Sequence, residues 1–112
     1  MKWTVETLNE KVDKELEALP ADMRARFVRI AKLIEEVGLG NVKKPHVRHL
    51  EGPLWEIRMT GKDGISRALY VTVKERRVVV VRAFIKKSRK TPRKEINAAL
   101  KRAMEVLNEQ NS

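Results

Sequence analysis

The chain has 112 residues, 42% of them apolar, and its 25 Lys and Arg outnumber 15 Asp and Glu for a formal net charge of +10. That length fits a single domain over residues 1–112, and the apolar share excludes a disordered chain. Absent cysteine excludes a disulfide framework, a thiolate nucleophile and a cysteine-ligated zinc site.

No stretch has the length and apolarity of a membrane span or a secretion signal, so the expected location is a reducing cytoplasm with no membrane partner. The positive charge favours a polyanionic partner.

Trp3 to Leu8 reads as a short strand with imperfect alternation. Val12, Leu16 and Leu19 then step at helical spacing until Pro20 breaks the run. Pro20 also suits the first turn of a second helix, where its missing N–H is harmless. There Met23, Phe27, Ile30, Ile34 and Val37 form one apolar stripe, and Gly38 and Gly40 supply the stop. The two helices read as an antiparallel hairpin.

Pro45-His-Val-Arg-His49 reads as a loop ahead of a sheet. Leu54 to Thr60, Ile65 to Val73 and Arg77 to Ile85 read as three strands joined by Gly61–Gly64 and Lys74–Arg76 turns. The unbroken Val78–Val81 run predicts a central strand covered on both faces. Thr91 suits an N-cap and Pro92 the first helical position, and Ile96, Ala99, Leu100, Ala103 and Leu107 supply the stripe of a last helix. The predicted architecture is α+β: a small, mainly antiparallel sheet with an N-terminal helical hairpin and a C-terminal helix, in the order β-α-α-β-β-β-α.

The charges concentrate late in the chain. Lys86, Lys87, Ser88, Arg89 and Lys90 join a strand to a helix whose first turn carries Arg93 and Lys94. Cations there oppose the helix dipole, so an anion among them would relieve the repulsion. The run reads either as a solvated basic loop or as a nucleic-acid backbone site. Strand alternation puts Arg82, Phe84 and Lys86 on one face, and Glu56 with Arg58 on another strand. Arg67 lies mid-strand. It either pairs with Glu56 or Glu75, or joins Arg58, Arg82 and Lys86 in a phosphate-binding groove. Tyr70 points to the opposite face and could be core or a stacking group, whereas Trp3, Trp55, Phe27 and Phe84 fit a core. His46 and His49 lack a third ligand for a metal and read as loop histidines, with His49 a candidate for proton transfer. No Walker loop, dinucleotide fingerprint, Ser/His/Asp set or paired carboxylates for two-metal chemistry occurs.

Three segments, Leu54-Trp-Glu-Ile-Arg58, Ser66-Arg-Ala-Leu-Tyr70 and Ala83-Phe-Ile-Lys-Lys-Ser-Arg-Lys-Thr-Pro92, stand in an order and spacing that resembles the RelE/ParE toxin superfamily. The chain is most similar to its HigB-like, phage-derived branch of type II toxin–antitoxin systems. The resemblance implies a ribosome-dependent mRNA endonuclease without metal or other cofactor. Its chemistry would be attack of a 2′-hydroxyl on the adjacent phosphate, leaving a 2′,3′-cyclic phosphate and a 5′-hydroxyl. It also implies a cognate antitoxin, acidic and of helix-turn-helix type.

By the same resemblance Arg58 is a basic position of the first sheet strand, Arg67 a phosphate-contacting arginine, and Lys86, Lys87 and Arg89 the basic segment after the last strand. Ser66 stands where an aromatic residue often precedes the arginine, and no Tyr or His follows the last strand as a proton carrier. Arginine is always protonated, whereas crowding by Lys87, Arg89 and Lys90 would lower the Lys86 pKa. Lys86 or Lys87 is therefore the expected proton carrier, and Arg67 with Arg82 the transition-state clamp. Arg58, Arg89, Lys90, Arg93, Lys94, Tyr70 and His49 are the expected RNA contacts. Two alternatives stand beside this: a ParE-like inhibitor of DNA gyrase, and a non-catalytic RNA-binding module.

Overall fold

Local signals start and stop the helices. In the computed structural model, which describes residues 2–42, 46–87 and 89–111, the Asn9 side chain accepts from the Val12 N–H and caps α1 (Glu10–Glu17). The Pro20 carbonyl accepts from Met23 and Arg24 to open α2 (Ala21–Val37). Gly38, at a φ of 87° that disfavours a side chain, ends it and leads into a short 3-10 turn. For α3 (Arg93–Asn111) it is the Pro92 carbonyl that accepts from Glu95 and Ile96. The Thr91 hydroxyl is buried with no partner among the described residues, so the expected threonine cap does not form.

The sheet has five strands: β1 (Thr4–Thr7), β2 (Val47–Glu51), β3 (Leu54–Gly61), β4 (Gly64–Val73) and β5 (Arg77–Lys86). They lie in the order β1-β5-β4-β3-β2, with β1 parallel to β5 and the other pairs antiparallel. The predicted element order lacks β2 and has a loop in its place. Five residues on a sheet edge, with Arg48 and His49 exposed, carry little alternation to detect.

Two cores sandwich the sheet. On one face α1 and α2 bring Val12, Met23, Ile30 and Ile34 against Ile57, Met59, Tyr70, Val78 and Val80. On the other, α3 brings Ile96, Ala99, Ala103 and Val106 against Leu54, Leu69, Val71, Val79, Val81 and Phe84. The Val78–Val81 run therefore has no solvent face, as its composition predicts. At roughly 1.5–3 kcal/mol per buried aliphatic side chain, this double-sided burial dominates the stability.

Candidate nucleic-acid interface

Cross-strand register builds the basic face. Arg48 opposes Glu56 across β2 and β3, Arg58 opposes Arg67 and Arg67 opposes Phe84 across β3, β4 and β5, and Ile65 opposes Lys86. Directly paired residues share a face, so Arg48, Glu56, Arg58, Arg67 and Lys86 all stand on the α3 side of the sheet. Beyond the N-terminus of α3 this face opens into a cavity of about 570 Å³ lined by Arg58, Gly64, Ile65, Lys86, Lys87 and Arg89. Among the described residues, none of its four cations enters an ion pair. Ser88 lies outside the described residues, as does Pro45.

Behind the cavity the charges are compensated. Glu56 is fully buried, and its two carboxylate oxygens are taken by different arginines: Nε of Arg48 donates to Oε1 at 2.8 Å, and Nη1 of Arg67 donates to Oε2. Arg67, only 3% exposed, thus takes the paired alternative with Glu56 rather than Glu75. Its Nε has no partner among the described residues.

Lys86 is half-buried, and burial is the main reason its ammonium is held below the ordinary lysine range. The Arg67 charge adds to that lowering, Glu56 opposes it, and Arg48 and Arg58 lower it further. The direction matches the sequence expectation, but the cause is corrected. Sheet arginines and desolvation do this, where the sequence suggested the neighbouring Lys87, Arg89 and Lys90.

Other expected site residues stand elsewhere. Arg82 does not line the cavity: its guanidinium bridges Glu15 of α1 and Glu95 of α3. Arg93 is held by Glu51 in two hydrogen bonds of 2.8 and 2.9 Å, so β2 supplies the anion that the first turn of α3 requires. Lys90 and Lys94 are exposed, and neither lines the cavity. Tyr70 lies wholly in the core under α1 and α2, where burial pushes its phenol pKa up and its hydroxyl has no partner among the described residues. That position excludes stacking on a base in this conformation.

His49 opposes Trp55, which opposes Tyr70, and so it faces the helical-hairpin side, away from the basic cavity. Its Nε2 lies 2.8 Å from the Gly52 carbonyl, which can only accept, and the ring meets Trp55 edge-on at 5.1 Å. Trp55 is 39% exposed, a departure from its expected core position. No three His, Asp or Glu side chains converge as metal ligands among the described residues. Sequence reasoning misses Arg48 because it misses β2. What signal there is lies in Leu50, two positions from Arg48 and packed on the α3-side core, and it is slight.

Comparison with known proteins agrees with this architecture. The family described as "Phage derived protein Gp49-like" matches residues 14–104. The fold is similar to that of archaeal RelE in a RelE–RelB complex from Pyrococcus horikoshii OT3, at 23% identity and a TM-score of 0.56, covering 78% of this chain and 98% of that one. It is also similar to a mutant of the E. coli toxin RelE in the free state, at 16% identity and a TM-score of 0.57, covering 91% of this chain and 98% of that one. No curated protein sequence matches the chain.

Proposed function

The chain belongs to the Gp49-like, phage-derived protein family and has a RelE-type fold, and from that premise we propose that it is a type II toxin of the HigB-like branch, acting as a ribosome-dependent mRNA endonuclease in the cytoplasm. The observation that carries this reading is the cavity in which Arg58, Lys86, Lys87 and Arg89 converge without carboxylate partners among the described residues. A cavity of that charge suits a polyanionic backbone.

In this reading Lys86 is the proton carrier, because the same environment that holds its pKa down raises its share of neutral amine. Neutral Lys86 takes the proton of the 2′-hydroxyl, and O2′ attacks the adjacent phosphorus. The bond from phosphorus to O5′ breaks, and the leaving oxygen takes a proton from solvent water to give a 5′-hydroxyl beside a 2′,3′-cyclic phosphate, while Lys86 returns its proton to solvent. Arg58, Lys87 and Arg89 offset the charge gathering on the phosphoryl oxygens. Arg67 acts from behind, through its field at Lys86.

The family membership, together with a fold relative crystallised as a RelE–RelB complex, supports a cognate antitoxin. An acidic antitoxin would be steered to the same face as RNA. Primer extension on cellular mRNA after a pulse of expression tests the proposal: discrete cuts are expected, and they disappear with Lys86→Ala. Intact transcripts with DNA-damage signalling would instead indicate a gyrase inhibitor. Unimpaired growth would indicate a non-toxic RNA-binding module.

A further inference from the structure

Glu56 is a charged residue in the least hospitable part of the sheet. It is 0% exposed and sits directly between Arg48 and Arg67. Buried ion triads are poor stabilisers, since well-packed apolar residues of similar volume often do as well or better. Stability alone therefore does not account for this triad. Nor can Glu56 serve as a base for a substrate, because both of its oxygens are already occupied by guanidiniums.

What the triad does is present one of its arginines. Arg67 is sequestered, whereas the Arg48 side chain is 51% exposed. Glu56 holds Arg48 by Nε alone, and among the described residues it is the guanidinium's only partner. The two terminal nitrogens, with four N–H donors, are left for a ligand in a fixed fork. A side chain already held loses less rotamer freedom on binding. Arg48 on β2, Arg58 on β3 and Lys86 on β5 then form a diagonal over one sheet face. Three interstrand steps make roughly 14 Å, a track longer than a single phosphate.

We infer that Arg48 is an RNA-phosphate-binding residue at the β2 end of this track, and that Glu56 is the positioning residue that holds it there. The inference rests on the RNA reading of the cavity.

The test is binding of a short 2′-O-methyl single-stranded RNA, which cannot be cleaved, to the full chain at several salt concentrations. Every cation withdrawn from a phosphate lowers the slope of log affinity against log salt by about 0.7. Arg48→Gln is expected to lower it by that amount. Glu56→Gln is expected to do the same, although it raises the net charge by one. If Glu56 merely neutralised its neighbours, Glu56→Gln would tighten binding, and that result would overturn the positioning role.

Should Glu56→Gln fail to fold, Arg48→Gln on the exposed edge strand decides alone. A slope lowered by Arg58→Gln and Lys86→Gln, but not by Arg48→Gln, overturns this inference and leaves the cavity reading intact. No salt-dependent binding by the unaltered chain overturns both.

Discussion

Nη1 of Arg102 donates to the Val81 carbonyl at 2.8 Å, at the place where β5 shifts by one residue against β4. The register passes from Tyr70 opposite Val80 to Leu69 opposite Arg82, so Val81 is left without a ladder partner. An α3 side chain thus satisfies a backbone acceptor that the bulge frees. The same Arg102 nitrogen pairs with Glu15, which also accepts from Arg82 and from the Ala83 N–H. Three elements, α1, β5 and α3, meet at one carboxylate.

Removing that brace has a definite cost. Arg102→Met leaves the Val81 carbonyl unsatisfied and Glu15 one partner short. It is expected to lower unfolding stability by about 2 kcal/mol. Urea unfolding with an unchanged slope and a lower midpoint checks it; an unchanged midpoint would show that water satisfies the bulge equally well.

The Glu56 triad predicts a strong non-additivity. Glu56→Leu strands the buried Arg67 guanidinium and should cost about 3–5 kcal/mol. Adding Arg67→Met removes the stranded charge and should restore most of that stability. Denaturant midpoints of the two single variants and the double variant give the coupling, and an additive result would contradict the pairing.

Lys86 gives a pH dependence with a determined sign. Its folded pKa lies below the ordinary lysine value of about 10.4. Between the two values the unfolded chain holds more proton, so this group's contribution to stability rises with pH. Below both values it is charged in either state and its destabilising effect is complete. Lys86→Met should therefore stabilise the fold at neutral pH by about 0.5 kcal/mol, solvent screening keeping the gain small. The gain should shrink as pH climbs through the folded pKa.

The same lysine predicts the pH profile of RNA cleavage. With Lys86 as proton acceptor, the rate rises with pH along a limb set by its lowered pKa. Arg58→Gln removes one of the cations that lower it, so the limb should move toward higher pH. Single-turnover cleavage across pH reads this directly, and a limb that stays in place would remove Lys86 from the role.

The β4–β5 turn stores strain that can be released. Glu75 and Arg76 sit at φ of 66° and 57°, in the left-handed region that costs a non-glycine residue about 1–2 kcal/mol. Glu75→Asn, a residue more tolerant of that conformation, is expected to raise stability by about 0.5 kcal/mol in thermal unfolding.

From sequence alone came the α+β class, the helical hairpin with its stripe from Met23 to Val37, four of the five strands to within one residue at each end, and the basic segment from Lys86 onward. These are local properties: periodic burial, proline and glycine punctuation and charge runs are all written within a few neighbouring residues. The pairing of charges is not local. Arg93 meets Glu51 across 42 positions, Arg82 meets Glu15 across 67, and Arg102 meets Glu15 across 87. Only the strand register and the seating of α3 bring these groups together. For that reason tertiary structure alone decided that Arg82 and Arg93 are held by the chain's own carboxylates, that Tyr70 is core and not a stacking group, that His49 faces away, and that Arg48 stands beside Glu56 on the face that holds Lys86.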